Sequence, residues 1–308
     1  QPGHWGLWAL PIGLAYGSTR ETIQTGQAYL LLFFLLCLAC WALARPDAGW
    51  WSEASAGLAL GLMLILKTAG AWLWPLLLLA GRWRALAFAL MFAAAVALIS
   101  LPWIGVAGWL AYSERLPELA TAPRRFVTAY QTTTSLFGHL LVYDAQWNPT
   151  PVADAPLLAR ALTMMVLLAT LALSAYWGRL SHPRREVRLL TVALFTSLIV
   201  ASAPFGEGYH YVLVLPALLV AAWWAWQGGE RHGSLPWMLW GILALAALLL
   251  AAPLPYKSPA LAVGWLALLA YPRVYGAYLL WLVLALMLKR AKELPVVSRQ
   301  MLVLATYD

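Results

Sequence analysis

The sequence predicts an all-α, polytopic transmembrane helical bundle, and three observations carry that expectation. Of 308 residues, 63% are hydrophobic and only 10% are charged, whereas soluble domains carry about 25% charge. Several apolar runs approach the roughly 20 residues that cross a bilayer core. The runs lack the alternating segments of about 10 residues that mark a membrane β-barrel. With no repeat at a fixed period and no soluble stretch, residues 1–308 read as one membrane domain.

In chain order, 5–17 is a short apolar piece, either interfacial or part of a longer element. The chain begins at Gln1 without a basic segment leading an apolar core, so no signal peptide is read, and sequence upstream of Gln1 is expected. The spans expected from apolar length are 27–44, 84–102, 157–178, 187–203, 211–227, 235–252 and 274–288. Cys37 and Cys40 fall inside the first span, where small buried side chains explain them better than a redox pair.

The formal charge of +8 fits basic residues held in cytoplasmic loops, and no nucleic-acid motif accompanies it. "GRLSHPRREVR" at 178–188 and "LKRAKE" at 288–293 are short and basic, so both are expected inside, as are Arg45, Arg82 and Arg84. That threading places 105–156, 204–210 and 253–273 on the outer side.

Arg45 and Arg82 can share one face only if the apolar stretch between them turns back. Residues 55–81 are therefore expected as a hairpin of two arms, about 11 to 13 residues each, meeting near 67–70. Gly57 and Gly61 would let one arm pack closely. Residues 259–270 are too short to span and are expected as an interfacial helix, with Tyr256, Trp265 and Tyr271 at headgroup level.

Polar residues gather at the outer side. Lys67 lies deep in an apolar run, where an ammonium group calls for a cavity or an anionic partner such as a lipid phosphate; snorkelling to the interface is the alternative. In "APRRFVTAYQTTTSLFGHLLVYDAQWNP" (122–149), Arg124 and Arg125 suit a phosphate. Gln131, Thr132, Thr133, Thr134 and Ser135 suit sugar hydroxyls or a helix cap. Gly26 and Gln27 open the first span. "SAPFGEGYHYVLVLP" (202–216) sets Glu207, Tyr209 and His210 between two crossings, as a polar rim or a plain turn. The histidines are scattered and no metal-ligand spacing, Walker loop, G-x-S-x-G or H-E-x-x-H is present, so the sequence names neither metal nor cofactor.

Four stretches, in order, carry a resemblance: "TGQAYLLLFFLLCLACWALA", "AGLALGLMLILKTAGAWLWPLLLLAGRWRAL", "YQTTTSLFG" and "SAPFGEGYHYVLVLP". Over about 26–216 the chain resembles the family 87 glycosyltransferases, which include polyprenyl-phosphate-mannose-dependent mannosyltransferases of the GT-C superfamily. Gly26, Gln27 and Lys67 match that pattern. Pro75 lies further from the lysine than in the family, Thr133 to Ser135 stand in for an asparagine version, and Ser202, Pro204, His210 and Tyr211 match loosely.

The resemblance implies a multi-pass cell-membrane hexosyltransferase with its site facing outward. It would move mannose from a polyprenyl-phosphate-linked donor to a lipid or glycan acceptor, among membrane lipids, with no cofactor and no nucleic acid. Lys67, Gln27, Arg124, Arg125, Gln131, Ser135, Glu207, Tyr209 and His210 would bind substrate. The implied general base is an Asp or Glu of the first outer loop, expected upstream of Gln1; Glu21 is a poor substitute and His210 a supporting group. A transporter or flippase would show pseudo-symmetric halves, which are not apparent. A non-catalytic scaffold or truncated remnant would leave Lys67 unpaired or facing lipid.

Overall fold

The computed structural model describes residues 11–45, 49–231 and 236–293, and these are almost entirely helical. In chain order the α-helices are α1 (Gly17–Gln24), α2 (Tyr29–Leu43), α3 (Trp50–Lys67), α4 (Leu73–Leu79), α5 (Trp83–Thr121) and α6 (Thr133–Leu141). They continue as α7 (Pro156–Trp177), α8 (Arg185–Ser197), α9 (Leu215–Arg231), α10 (Trp237–Ala251) and α11 (Pro272–Glu293). Four helical stretches are long and apolar enough to cross a bilayer: Trp83–Glu118, Pro156–Trp177, Gly208–Gln227 and Pro272–Glu293. Apolar α2 and α10, at 15 residues each, are shorter. The chain is a polytopic helical membrane protein.

Several expected boundaries shift, each for a local reason. The helix expected to end at 102 stops a few residues later, where Gly105 (φ 71°, ψ 165°) leaves helical geometry, and a second helix follows to Thr121, so α5 is two helices joined at a kink. The first part of the expected outer loop 105–156 is therefore helix. The span expected over 187–203 is helical only to Ser197. Turns follow, where Pro204 and Gly206 interrupt. The run from Gly208 starts as a 3₁₀ segment, Gly208–Val214, before α9. The expected interfacial helix at 259–270 is two 3₁₀ pieces, Pro259–Leu261 and Gly264–Ala270. Trp265 is exposed there, whereas Tyr256 and Tyr271 are buried within the fold. The first half of the 5–17 piece, the start of the 235–252 span, His4, His232 and the tail beyond Glu293 lie outside the described residues.

Between Arg45 and Arg82 the chain forms a long helix, a break and a short helix. α3 has 18 residues, or about 27 Å at 1.5 Å per residue, and α4 has 7. Thr68 (φ 49°) and Gly70 (φ 84°) take left-handed conformations, and Ala69 N–H bonds back to Met63 O at 3.2 Å in a Schellman-type stop. Gly57 and Gly61 press α3 onto α5. A Cβ at Gly57 would stand 2.3 Å from Phe88 Cβ, and one at Gly61 would stand 2.5 Å from the Ala89 carbonyl.

Charge sorts the bundle's two ends. At one end Arg82 donates to Leu43 O (3.4 Å) and Arg188 to Ala44 O (2.9 Å), so cations take the last carbonyls of α2. Arg82 also pairs with buried Glu53 at 3.1 Å. Arg184 donates to Ala291 O and Lys292 to Trp177 O. The opposite end of α2 begins at Tyr29, beside Tyr209 and His210.

Candidate active site

The 201–211 segment is sewn to the 130–135 strip. Gln131 N–H donates to Gly206 O (2.6 Å) and Thr133 Oγ1 to Ala201 O (2.9 Å), while Tyr211 Oη donates to Gln131 O (2.8 Å). From α1, Thr22 Oγ1 reaches Tyr209 O at 3.2 Å. With backbone groups satisfied on both sides, a non-helical turn is stable at this depth.

Within that turn Glu207 and His210 form a reciprocal cap. The Glu207 carboxylate accepts from the His210 backbone N–H, and His210 Nδ1 accepts from the Glu207 N–H at 3.2 Å. Nδ1 thus acts as an acceptor, so a neutral ring carries its proton on Nε2. The imidazole lies parallel to the Tyr29 ring, with centroids 4.1 Å apart and planes 15° apart. Tyr209 meets Tyr29 edge-on at 5.4 Å.

Lys67, at the end of α3, points to the same place, its Nζ 5.8 Å from the Tyr29 ring centroid. Lys67 and His210 line one chamber of about 110 Å³, walled also by Tyr29, the 68–72 break, 199–205 and Leu213. The ammonium is exposed at its mouth and not enclosed mid-helix.

The other expected site residues divide into two groups. Arg124 and Arg125 line a crevice with Tyr130 and Phe205, and Phe205 also walls the chamber. Glu207 and Tyr209 flank His210, and Gln27 is half-buried two residues before Tyr29. Gln131 and Ser135 are fully buried; the Gln131 amide nitrogen and the Ser135 groups bond within the fold, while Gln131 Oε1 has no partner among the described residues. Gln131 Nε2 donates to Thr128 O (2.8 Å) and Ala270 O (2.7 Å), and Ser135 completes the α6 N-cap with Thr132. The structure does not bring these two into the chamber.

Three features escaped the sequence reading. Tyr29 supplies the ring between lysine and histidine; its place in "GQAYL", one turn into the first span, was the available signal. Arg273, only 1% exposed, holds Glu21 bidentately at 2.7 and 3.2 Å beneath Gly208. The two are 252 residues apart, which hid the pair. Arg160, a lone cation in the first turns of α7, was the third.

His139 is buried, its Nδ1 3.1 Å from Tyr271 Oη and its Nε2 3.2 Å from Ala262 O. Burial pushes its pKa below the ordinary histidine value, with the Ala262 carbonyl opposing. It belongs to the packing of α6 against the 262–271 segment and not to the chamber. Cys37 and Cys40 carry no disulfide. Among the described residues no three His, Cys, Asp or Glu side chains are grouped to hold a metal ion.

A family model described as glycosyltransferase family 87 matches residues 2–204. Comparison with curated proteins finds no match, and neither does comparison with solved structures.

Proposed function

This chain belongs to glycosyltransferase family 87 and is a membrane glycosyltransferase; on that premise we propose that it moves a hexose, mannose by family likeness, from a polyprenyl-phosphate donor to an acceptor at the extracytoplasmic face of the cell membrane. The observation that carries the proposal is the placement of Lys67 and His210 on one chamber wall. Both offer protons: an ammonium group and, in the tautomer fixed by Glu207 N–H, an Nε2–H.

Such a pair suits the leaving half of the reaction. When the acceptor oxygen attacks the anomeric carbon, the bond to the carrier phosphate breaks and its oxygen takes on charge. Donors already aimed at that oxygen stabilise the transition state without reorganising. Tyr29 holds the imidazole by stacking and offers a face to the lysine. Among the described residues no carboxylate walls the chamber, so deprotonation of the acceptor is not assigned to it. Arg124 and Arg125, across Phe205, add positive charge on the approach. The cations at the α2 C-terminal end would mark the cytoplasmic side.

A transporter reading has no comparable support, because a family of transferases covers the 2–204 region. The proposal is tested by sugar incorporation in proteoliposomes given polyprenyl-phosphate-mannose or a nucleotide-linked mannose. Incorporation from the lipid-linked donor alone is expected. Equal use of the nucleotide sugar would contradict the proposal.

A further inference from the structure

One backbone position beside the chamber holds a conformation that its side chain disfavours. Among the described residues the positions with positive φ are Gly26, Gly70, Gly81, Gly105, Gly264 and, alone without being glycine, Thr68. Thr68 stands at φ 49° and ψ 22°. Glycine enters this region at no steric cost, whereas a β-branched residue is an outlier there. Such strain persists only where the surroundings over-determine it, and it gathers at functional sites.

Thr68 sits where it can act on the lysine. It follows Lys67, the last residue of α3, and both line the chamber. Its backbone N–H donates to Leu64 O at 2.8 Å and closes the final helical turn. Its Oγ1 donates to Lys67 O at 2.7 Å, taking a carbonyl that the broken helix leaves over. Glycine would supply the turn, but neither that hydroxyl nor the stiffness of a branched side chain. The stem of Lys67 is flexible, so the backbone at 67–68 decides where its ammonium starts from as it reaches toward the Tyr29 ring.

We infer that Thr68 is a positioning residue for Lys67: its left-handed turn and its hydroxyl hold the end of α3 so that the ammonium stays on the chamber wall. The inference rests on the reading of Lys67 as a donor to the carrier-phosphate oxygen. Strain at Thr68 works against stability, and in return the ammonium is already aimed when the leaving oxygen takes on charge. Stability and activity therefore run in opposite directions at this position.

The test is proteoliposome transfer from polyprenyl-phosphate-mannose, paired with thermal melting of the same full-chain variants in detergent. Thr68→Gly is expected to lower kcat about tenfold with KM within about twofold, while melting at or above the wild-type temperature. Thr68→Ser keeps the hydroxyl and is expected to stay within about threefold of the wild-type kcat. In a Lys67→Ala background, Thr68→Gly is expected to cost nothing further, because its effect runs through the lysine. Wild-type kcat in Thr68→Gly would overturn the inference. A loss of activity that comes with a lower melting temperature would overturn it as well, since a merely structural role predicts that. So would an undiminished loss in the background lacking the lysine. If Lys67→Ala alone transfers sugar at the wild-type rate, the chamber reading fails and takes this inference with it. If Lys67→Ala is impaired and Thr68→Gly is not, this inference alone falls.

Discussion

The His210 imidazole lies flat against the Tyr29 ring, 4.1 Å between centroids, and joins the first helix of the bundle to the loop that carries the chamber's second donor. Replacing Tyr29 tests what that contact does. Tyr29→Phe keeps the stack and is expected to retain most transfer activity. Tyr29→Leu loses about 1 kcal/mol of ring contact and is expected to lower kcat more than it raises KM, because His210 is then no longer oriented. Proteoliposome kinetics separate the two parameters.

The buried Arg273 guanidinium grips Glu21 with two hydrogen bonds under Gly208. Removing the carboxylate would leave a fully buried cation without its partner. Glu21→Gln is expected to cost about 3 kcal/mol, read as a loss of thermal stability in detergent. Gly208→Ala strikes the same cluster. Its Cβ would lie 2.3 Å from both Arg273 Nη1 and Tyr256 Oη, so a cost of about 1–3 kcal/mol is expected.

His139 makes the α6 region sensitive to acid. Its pKa is depressed in the folded state, so the folded protein holds it neutral while the unfolded chain takes up a proton below about pH 6.5. Stability from this group is complete above that pH and falls as pH drops further. His139→Gln is expected to flatten the slope of melting temperature against pH between about 6.5 and 5. An unchanged slope would remove His139 as its source.

Close packing of α3 on α5 makes Gly57 a stability determinant. Gly57→Leu must push Phe88 and the Ala85 carbonyl, which an added Cβ would meet at 2.3 and 2.7 Å. A loss of about 1–3 kcal/mol is expected, again read from thermal melting. A melting temperature equal to wild type would show that the two helices separate at no cost.

Much of this architecture is legible in the residues. A break between Arg45 and Arg82 was expected near 67–70, and the backbone takes left-handed conformations at Thr68 and Gly70. Small residues at 57 and 61 announced a tight helix contact. Lys67 and His210 stood out because an apolar chain has few reasons to carry either.

Other features were hidden by the same local logic. A helix end near 102 was legible, but the second helix that follows the kink at Gly105 was not. Gln131 and Ser135 looked like sugar ligands, since polarity alone cannot distinguish a side chain that meets substrate from one that satisfies buried carbonyls. Glu21 was noticed only as a poor candidate base and Arg273 not at all, and only the fold brings them together.

The central claim is that Lys67 and His210 act on one ligand in one chamber, and a double-mutant cycle on sugar transfer tests it most directly. Lys67→Ala and His210→Ala are each expected to lower kcat/KM about 100-fold. The double variant is expected to be little worse than either alone, as for groups that work as a unit. Fully multiplicative losses, or single variants within about threefold of wild type, would contradict a shared site.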